Sequence, residues 1–570
     1  MRFRYAVAPA ALALSGALSL AITAPLCAPG YLLLRDAVST PRSFLSDAAL
    51  GLTEAAPRAV PQDFAVAALS TLINGGVVVK ALLIAALMLA GTGAARLVAL
   101  VLPDAGSPGQ MIAVTLAIWN PYVAERLLQG HWSLLLGYGC LPWVAAAVIR
   151  LRAGSQPGMQ RRDVCTLVFW IALAGLTPTG LILAAVVALV ATAAPGAGLR
   201  RVQCSAVILV VSALAASPWL IASALGGSLG SEQSDGLVPF AARAEPGLGT
   251  LGSLAGLGGI WNAEAVPDSR TTAFAVVGTA VLLAVVAAGA PAAFRHRAAT
   301  PLLVLAAVSI VVPALMATGP GLSALRAVVD AVPGLAVARD GQKWVALAMP
   351  GYGIAGAATV IAARHRIRPW ATAVLCSAAL IAVLPDLAWG AGGKVTSVHY
   401  PPGWAAVAAA INGAPGPVAV LPADSTRRFR WAGDAPVLDP LPRWLRADVL
   451  TTGDLAVAGR TVAGEGVHAR AVQQLLLDGS DAETLRSAGV AWVVSEQGTP
   501  GVTGKSAVAL RQLPVAYRDG DLILYRVGGE RAGADDRARA AAITAHLVWA
   551  ALLLGSLAAI AGLAYSGGRP

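Results

Sequence analysis

A dozen apolar stretches, with arginines collected in alternate gaps between them, constrain this chain more than any other feature. They lie near residues 5–25, 76–95, 108–119, 133–149, 164–176, 180–195, 203–222, 272–291, 300–317, 345–362, 371–388 and 541–563. A helix needs about 20 apolar residues to cross a bilayer, so the pattern predicts a polytopic α-helical membrane protein with about 12 transmembrane helices. Arg96, then Arg150, Arg152, Arg161 and Arg162, then Arg200 and Arg201, Arg295 and Arg297, and Arg364, Arg366 and Arg368 all share one side with Arg2 and Arg4. Basic residues accumulate in cytoplasmic loops. Both termini are therefore expected inside a plasma-membrane, multi-pass protein, with the first stretch an uncleaved anchor rather than a signal peptide. Only 12% of the residues are charged, half the roughly 25% of a water-soluble chain, which excludes a soluble enzyme. The formal charge of +11 then reports orientation, not nucleic acid. Cys140, Cys165, Cys204 and Cys376 lie in apolar runs and Cys27 stands alone, so neither a disulfide framework nor a CxxC metal site is built.

This topology divides the chain into a transmembrane helical domain at 1–390, an extracytoplasmic α/β domain at 391–540, and a last helix with a short cytoplasmic tail at 541–570. The outer side also receives 26–75, 120–132, 223–271 and 318–344, whereas the inner loops are short and basic. In the 391–540 segment, Trp404 to Ile411, Ala469 to Leu477 and Ala482 to Ala488 read as helices, and Pro417 to Pro422 and Gly489 to Val494 as buried strands. Asp519-Gly520 is the turn of a hairpin between Leu513–Tyr517 and Leu522–Arg526. No glycine-rich loop follows either strand, so a dinucleotide site is excluded. Arg427-Arg428-Phe429-Arg430-Trp431 is either a grip for a phosphate or glycan or a solvated surface strand.

Three polar constellations sit at outer positions. In the first outer loop, Asp36 follows the first stretch most closely, and Asp47 is the second candidate for a general base acting on an acceptor hydroxyl. A lone loop aspartate otherwise caps a helix or solvates the loop, and Ser46-Asp47 fits a cap. Trp119-Asn-Pro-Tyr-Val-Ala-Glu-Arg-Leu-Leu-Gln-Gly-His-Trp132 sets Glu125, Arg126, Gln129 and His131 at the ends of two apolar helices, where polar groups are costly unless used. The bland alternative is an interfacial turn with an aromatic belt. Ala338-Arg339-Asp340-Gly-Gln-Lys343-Trp344 offers two cations four residues apart to a phosphate. Lys80, near the outer end of the second stretch, either snorkels to the headgroups or faces a phosphate.

In architecture and in the segments Gly30-Tyr-Leu-Leu-Leu-Arg-Asp36, Asn120-Pro-Tyr-Val-Ala-Glu-Arg126 and Arg339-Asp-Gly-Gln-Lys-Trp344, the chain resembles the GT-C superfamily of membrane glycosyltransferases. It is most similar to the polyprenyl-phosphate-sugar-dependent mannosyl- and arabinofuranosyltransferases of actinobacterial cell envelopes. The resemblance implies an inverting hexosyl or pentosyl transfer from a polyprenyl-phosphate-linked sugar donor to a glycan or glycolipid acceptor, at the surface of the membrane lipids and with no nucleic acid. Asp36 would be the base, Arg339, Lys343, Arg126 and His131 the phosphate side, and Glu125 and Lys80 further substrate-binding positions. Members carry paired acids in the first loop; here Asp36 is flanked by Arg35 and Ala37, so no cofactor is expected beyond room for a divalent metal. Two other classes compete. A twelve-span transporter would show two similar halves and ionisable residues at mid-membrane depth, whereas a non-enzymatic envelope-assembly protein would tolerate loss of Asp36 and Arg339.

Overall fold

The structure, a computed structural model, describes residues 6–154, 157–226, 236–457 and 460–566. Arg2 and Arg4 lie outside the described residues. Every one of the apolar stretches forms a helix. Seven described helices are long and apolar enough to cross a membrane: Pro9–Cys27, Gly75–Val101, Trp132–Ala153, Arg201–Leu225, Phe274–Phe294, Gly341–Ala363 and Asp536–Leu563. The number reaches nine if Thr300–Met316 with Gly319–Ala331, bent by 92°, and Pro369–Ala382 with Pro385–Gly393, bent by 74°, each make one span. The protein is thus membrane-embedded, but length and apolarity do not support twelve independent crossings. The reason is geometric. Gly106–Ile118 and Pro178–Ala191 have 13 and 14 residues, reaching about 20 Å at 1.5 Å per residue, short of the roughly 30 Å hydrocarbon core. Ile112, Val114, Thr115 and Ile118 of the first are buried, so this short helix packs inside the protein, where its length is no handicap.

Small residues set the helix packing. At Gly139 a Cβ would lie 2.5 Å from the Ala86 carbonyl oxygen, so glycine lets the Trp132–Ala153 and Gly75–Val101 helices approach backbone to backbone. The Trp143 indole then donates to the Leu89 carbonyl at 2.9 Å. The turn expected at Thr177-Pro178 is present: the Thr177 hydroxyl accepts from the Gly180 N–H at 3.1 Å, with Pro178 at the first helical position.

Beyond the helices, residues 397–527 carry a four-stranded sheet in the order Val515–Arg518, Leu522–Arg526, Trp492–Glu496, Val418–Leu421. The first three strands are antiparallel and the last pair parallel. The hairpin turns at Asp519, whose carboxylate accepts from the Asp521 and Leu522 N–H groups at 2.9 and 2.7 Å. Strand Tyr31–Leu34 of the first loop pairs with Ala37–Val38 and, on its other edge, with Ser397–Val398. This second pairing fastens the loop beside the sheet-bearing region.

Candidate functional site

The site begins with the reversal between those two short strands. Arg35 there has φ +48°, the left-handed region that costs a residue with a Cβ roughly 1–2 kcal/mol. Its surroundings hold it. Its N–H donates to the Pro436 carbonyl at 2.8 Å and its carbonyl accepts from the Leu438 N–H at 2.9 Å. Its guanidinium donates to the carbonyls of Leu128 at 2.6 Å and Glu264 at 2.8 Å. The next N–H, of Asp36, donates to the Gln129 carbonyl at 3.2 Å. Against this reversal lies Gly130, φ +82°, where a Cβ would stand 2.3 Å from the Leu34 carbonyl oxygen and 2.4 Å from the Ala37 nitrogen. Only glycine permits that approach.

Helix Pro121–Leu128 supplies the other wall. Asn120 caps it, its side-chain oxygen accepting from the Val123 N–H at 3.0 Å while its amide donates to the Tyr138 hydroxyl at 3.1 Å. From this helix and the turn after it a chain of contacts runs inward. Asp36 Oδ2 accepts from His131 Nε2 at 2.8 Å and Gln129 Nε2 at 3.2 Å. An Arg126 Nη faces His131 Nδ1 at 3.2 Å. Because a guanidinium only donates, Nδ1 accepts, and the ring offers its Nε2 proton to Asp36. Arg126, fully buried, grips both oxygens of Asp340 at 2.8 and 3.0 Å and also donates to Gln342. Gln342 donates in turn to Glu125 at 3.0 Å, whose two oxygens accept from the Gly259 and Ile260 N–H groups at 3.1 Å.

Charge follows from these contacts. Burial raises the Asp36 carboxyl, but the His131 and Gln129 hydrogen bonds outweigh it and hold it below its ordinary value. Its side chain keeps 39% exposure, and among the described residues Oδ1 receives no hydrogen bond. Burial likewise raises Asp340, and Arg126 overrides it, bringing it to about 2. Burial and the positive charge of Arg58 push Arg339 down to about 10, and its guanidinium lies 4.4 Å from the Phe240 ring centroid. The Lys343 ammonium has no hydrogen bond or ion pair among the described residues, and it feels Asp340, Arg126, Arg339 and Arg58.

The fold therefore gathers Asp36, Glu125, Arg126 and His131 with Lys343, and brings Arg339 near them. Asp47 and Lys80 stand apart. Asp47 is clamped by Arg539 at 2.8 and 2.9 Å and by the Ala534 N–H at 3.0 Å. Burial raises it, but the Arg539 and Ala534 hydrogen bonds lower it on balance. Lys80 donates to the Ala28 carbonyl at 2.8 Å and Ser397 Oγ at 3.3 Å, fastening the loop to the 397 strand. Arg427 of the basic-aromatic run is buried on Glu496 at 2.6 Å, which leaves Arg428 and Arg430 at the surface. Asp340 and Gln342 join the site unforeseen. They lie inside the segment singled out for its cations, but their partner Arg126 is more than 200 residues away in sequence, and no spacing reveals it. Among the described residues no three His, Cys, Asp or Glu side chains converge, and Asp36 has only His131 beside it. That donor set does not form a metal cage from protein ligands alone.

No family model matches this sequence, and no curated protein matches it. Among solved structures the chain is similar to the arabinofuranosyltransferase AftD from mycobacteria, with a TM-score of 0.59 and 18% sequence identity. The match covers 94% of this chain and 42% of the other, so the chain spans less than half the length of that protein. At this identity the likeness shows a shared fold.

Proposed function

We propose that the protein is an integral membrane glycosyltransferase that moves a sugar from a polyprenyl-phosphate donor to a glycan or glycolipid of the cell envelope, on the outer face of the plasma membrane. The carrying observation is Asp36, an ionised carboxylate with one oxygen fixed by His131 and Gln129 and the other open, with the Arg126 guanidinium on the far side of His131, in a fold similar to that of an arabinofuranosyltransferase. In this reading Asp36 Oδ1 takes the proton of the acceptor hydroxyl as its oxygen attacks the anomeric carbon from the face opposite the phosphate, inverting the centre. The anomeric C–O bond breaks and its electron pair leaves with the polyprenyl phosphate. Lys343 and Arg339 stabilise the departing charge, because Arg126 is committed to Asp340 and Gln342. A carboxylate held below its usual range is a weak base, suited to a step in which bond breaking at the sugar runs ahead of proton transfer.

Asp36→Asn is expected to lower transfer at least 100-fold, in line with the loss of a general base, while still inserting and eluting from detergent like the wild type. Asp47→Asn keeps its transfer rate. The measurement is transfer of labelled sugar from a polyprenyl-phosphate donor in membranes, together with the envelope glycan profile of a deletion strain complemented by each variant. An active Asp36→Asn protein with an inactive Asp47→Asn protein moves the base to Asp47. An envelope unchanged by deletion under every condition favours the non-enzymatic reading.

A further inference from the structure

Helix Trp132–Ala153 begins beside His131 and ends beyond Arg152; its 22 residues separate the two ends by about 33 Å, the thickness of a bilayer core. At the Arg152 end lies a cleft of about 780 Å³ lined by Arg152, Arg200, Arg201, Val202 and Gln203. Its walls are built. The Gly198 and Leu199 N–H groups donate to the carbonyls of Arg152 and Leu151 at 2.9 and 3.0 Å, laying this segment along the helix end. At Gly196 a Cβ would stand 1.8 Å from the Arg152 carbonyl oxygen, so the approach requires glycine. Arg152, only 7% exposed, donates to the carbonyls of Ala194 at 3.2 Å and Leu199 and fixes the floor. Arg200 and Arg201 stand at the rim, at the start of the 25-residue helix Arg201–Leu225, whose first N–H groups and dipole add to the positive potential.

The apolar surface adjoining the cleft identifies the ligand class. Val202, in the cleft wall, is 80% exposed. The same face of its helix continues with Leu209 at 56% and Val210 at 58%, following the 3.6-residue period. A free anion would use the cationic cleft alone, whereas a phosphate ester with acyl chains would use both. We propose that this cleft binds the phosphate headgroup of an anionic phospholipid in the leaflet opposite Asp36, with its chains lying along Val202, Leu209 and Val210.

The test is thermal unfolding of the full-length protein in non-ionic detergent, titrated with phosphatidylglycerol, phosphatidylcholine or inorganic phosphate. Phosphatidylglycerol is expected to raise Tm well beyond the other two. Arg200→Gln with Arg201→Gln should weaken it roughly 30-fold, since each basic residue at an anionic surface contributes about a factor of five. Arg161→Gln with Arg162→Gln, on the same side but not among the residues that line the cleft, should leave it largely unchanged. Val202→Glu, an exposed position that tolerates a polar side chain, places a carboxylate at the phosphate and should reproduce the loss if the double variant fails to fold. Equal loss in both double variants would reduce the effect to general attraction of basic loops for anionic lipid and overturn the proposal. So would a full shift with inorganic phosphate, which makes it a free-anion site, or no shift with phosphatidylglycerol.

Discussion

Asp36 owes its charge state to its neighbours, and this sets the pH behaviour expected of the protein. Its folded value lies below the ordinary carboxylate range, so it stays ionised above that range and activity should fall only when the pH drops through the depressed value. His131→Gln removes the His131 hydrogen bond and leaves burial, which acts upward. The acid limb of the kcat/KM profile should then move to higher pH, and a limb that stays in place would rule out His131 as the residue that sets the base. Lys343→Met should raise KM for the donor or lower kcat while leaving the acid limb alone, because in the proposed mechanism its charge serves the leaving phosphate, and Asp36 is not among the charges that act on it. Individually these residues were legible: an aspartate, a histidine and two cations at outer positions. Their roles were not. The family resemblance put Arg126 and His131 on the phosphate side, whereas in the structure Arg126 is engaged by Asp340 and Gln342, and His131 by Asp36.

Between elements, the Arg126–Asp340 pair joins helix Pro121–Leu128 to the start of span Gly341–Ala363. Both side chains are buried, so Arg126→Met leaves a carboxylate unpaired and should cost about 3–5 kcal/mol, read as a lower unfolding temperature in detergent. The double variant Arg126→Met with Asp340→Leu should recover most of it, since removing both charges removes the penalty. Gly130→Ala belongs to this scale too. A methyl there collides with the backbone of Leu34 and Ala37 and drives the Asp36 reversal off the His131 turn, so transfer should fall at least tenfold in protein that still inserts. Helix positions were legible from apolar runs because desolvation demands such runs. The number of crossings was not, because a helix buried inside protein, such as Gly106–Ile118, need not reach across the bilayer.

At the scale of the whole molecule, the first loop is bound to the distant sheet-bearing region by strand pairing at Tyr31 and Val398 and by the ion pair of Asp63 with Arg443, and to the start of the last helix by that of Asp47 with Arg539. If the sheet-bearing region lies outside the cell, Gln497→Cys in a cysteine-free background should react with a membrane-impermeant maleimide on intact cells. Arg366→Cys should react only after permeabilisation, and the reverse pattern would invert the topology and with it the side on which transfer occurs. The sequence by itself determined that the chain lives in a membrane, about where its helices lie, and that its arginines collect in the gaps between apolar stretches. These are consequences of local apolarity and charge, each read within some 20 residues. Tertiary structure alone decided which polar groups meet. Asp36 with His131, Arg126 with Asp340, and Glu125 with the 259–260 backbone are separated by about a hundred residues or more, and contacts over such distances follow from how helices pack, not from any local pattern.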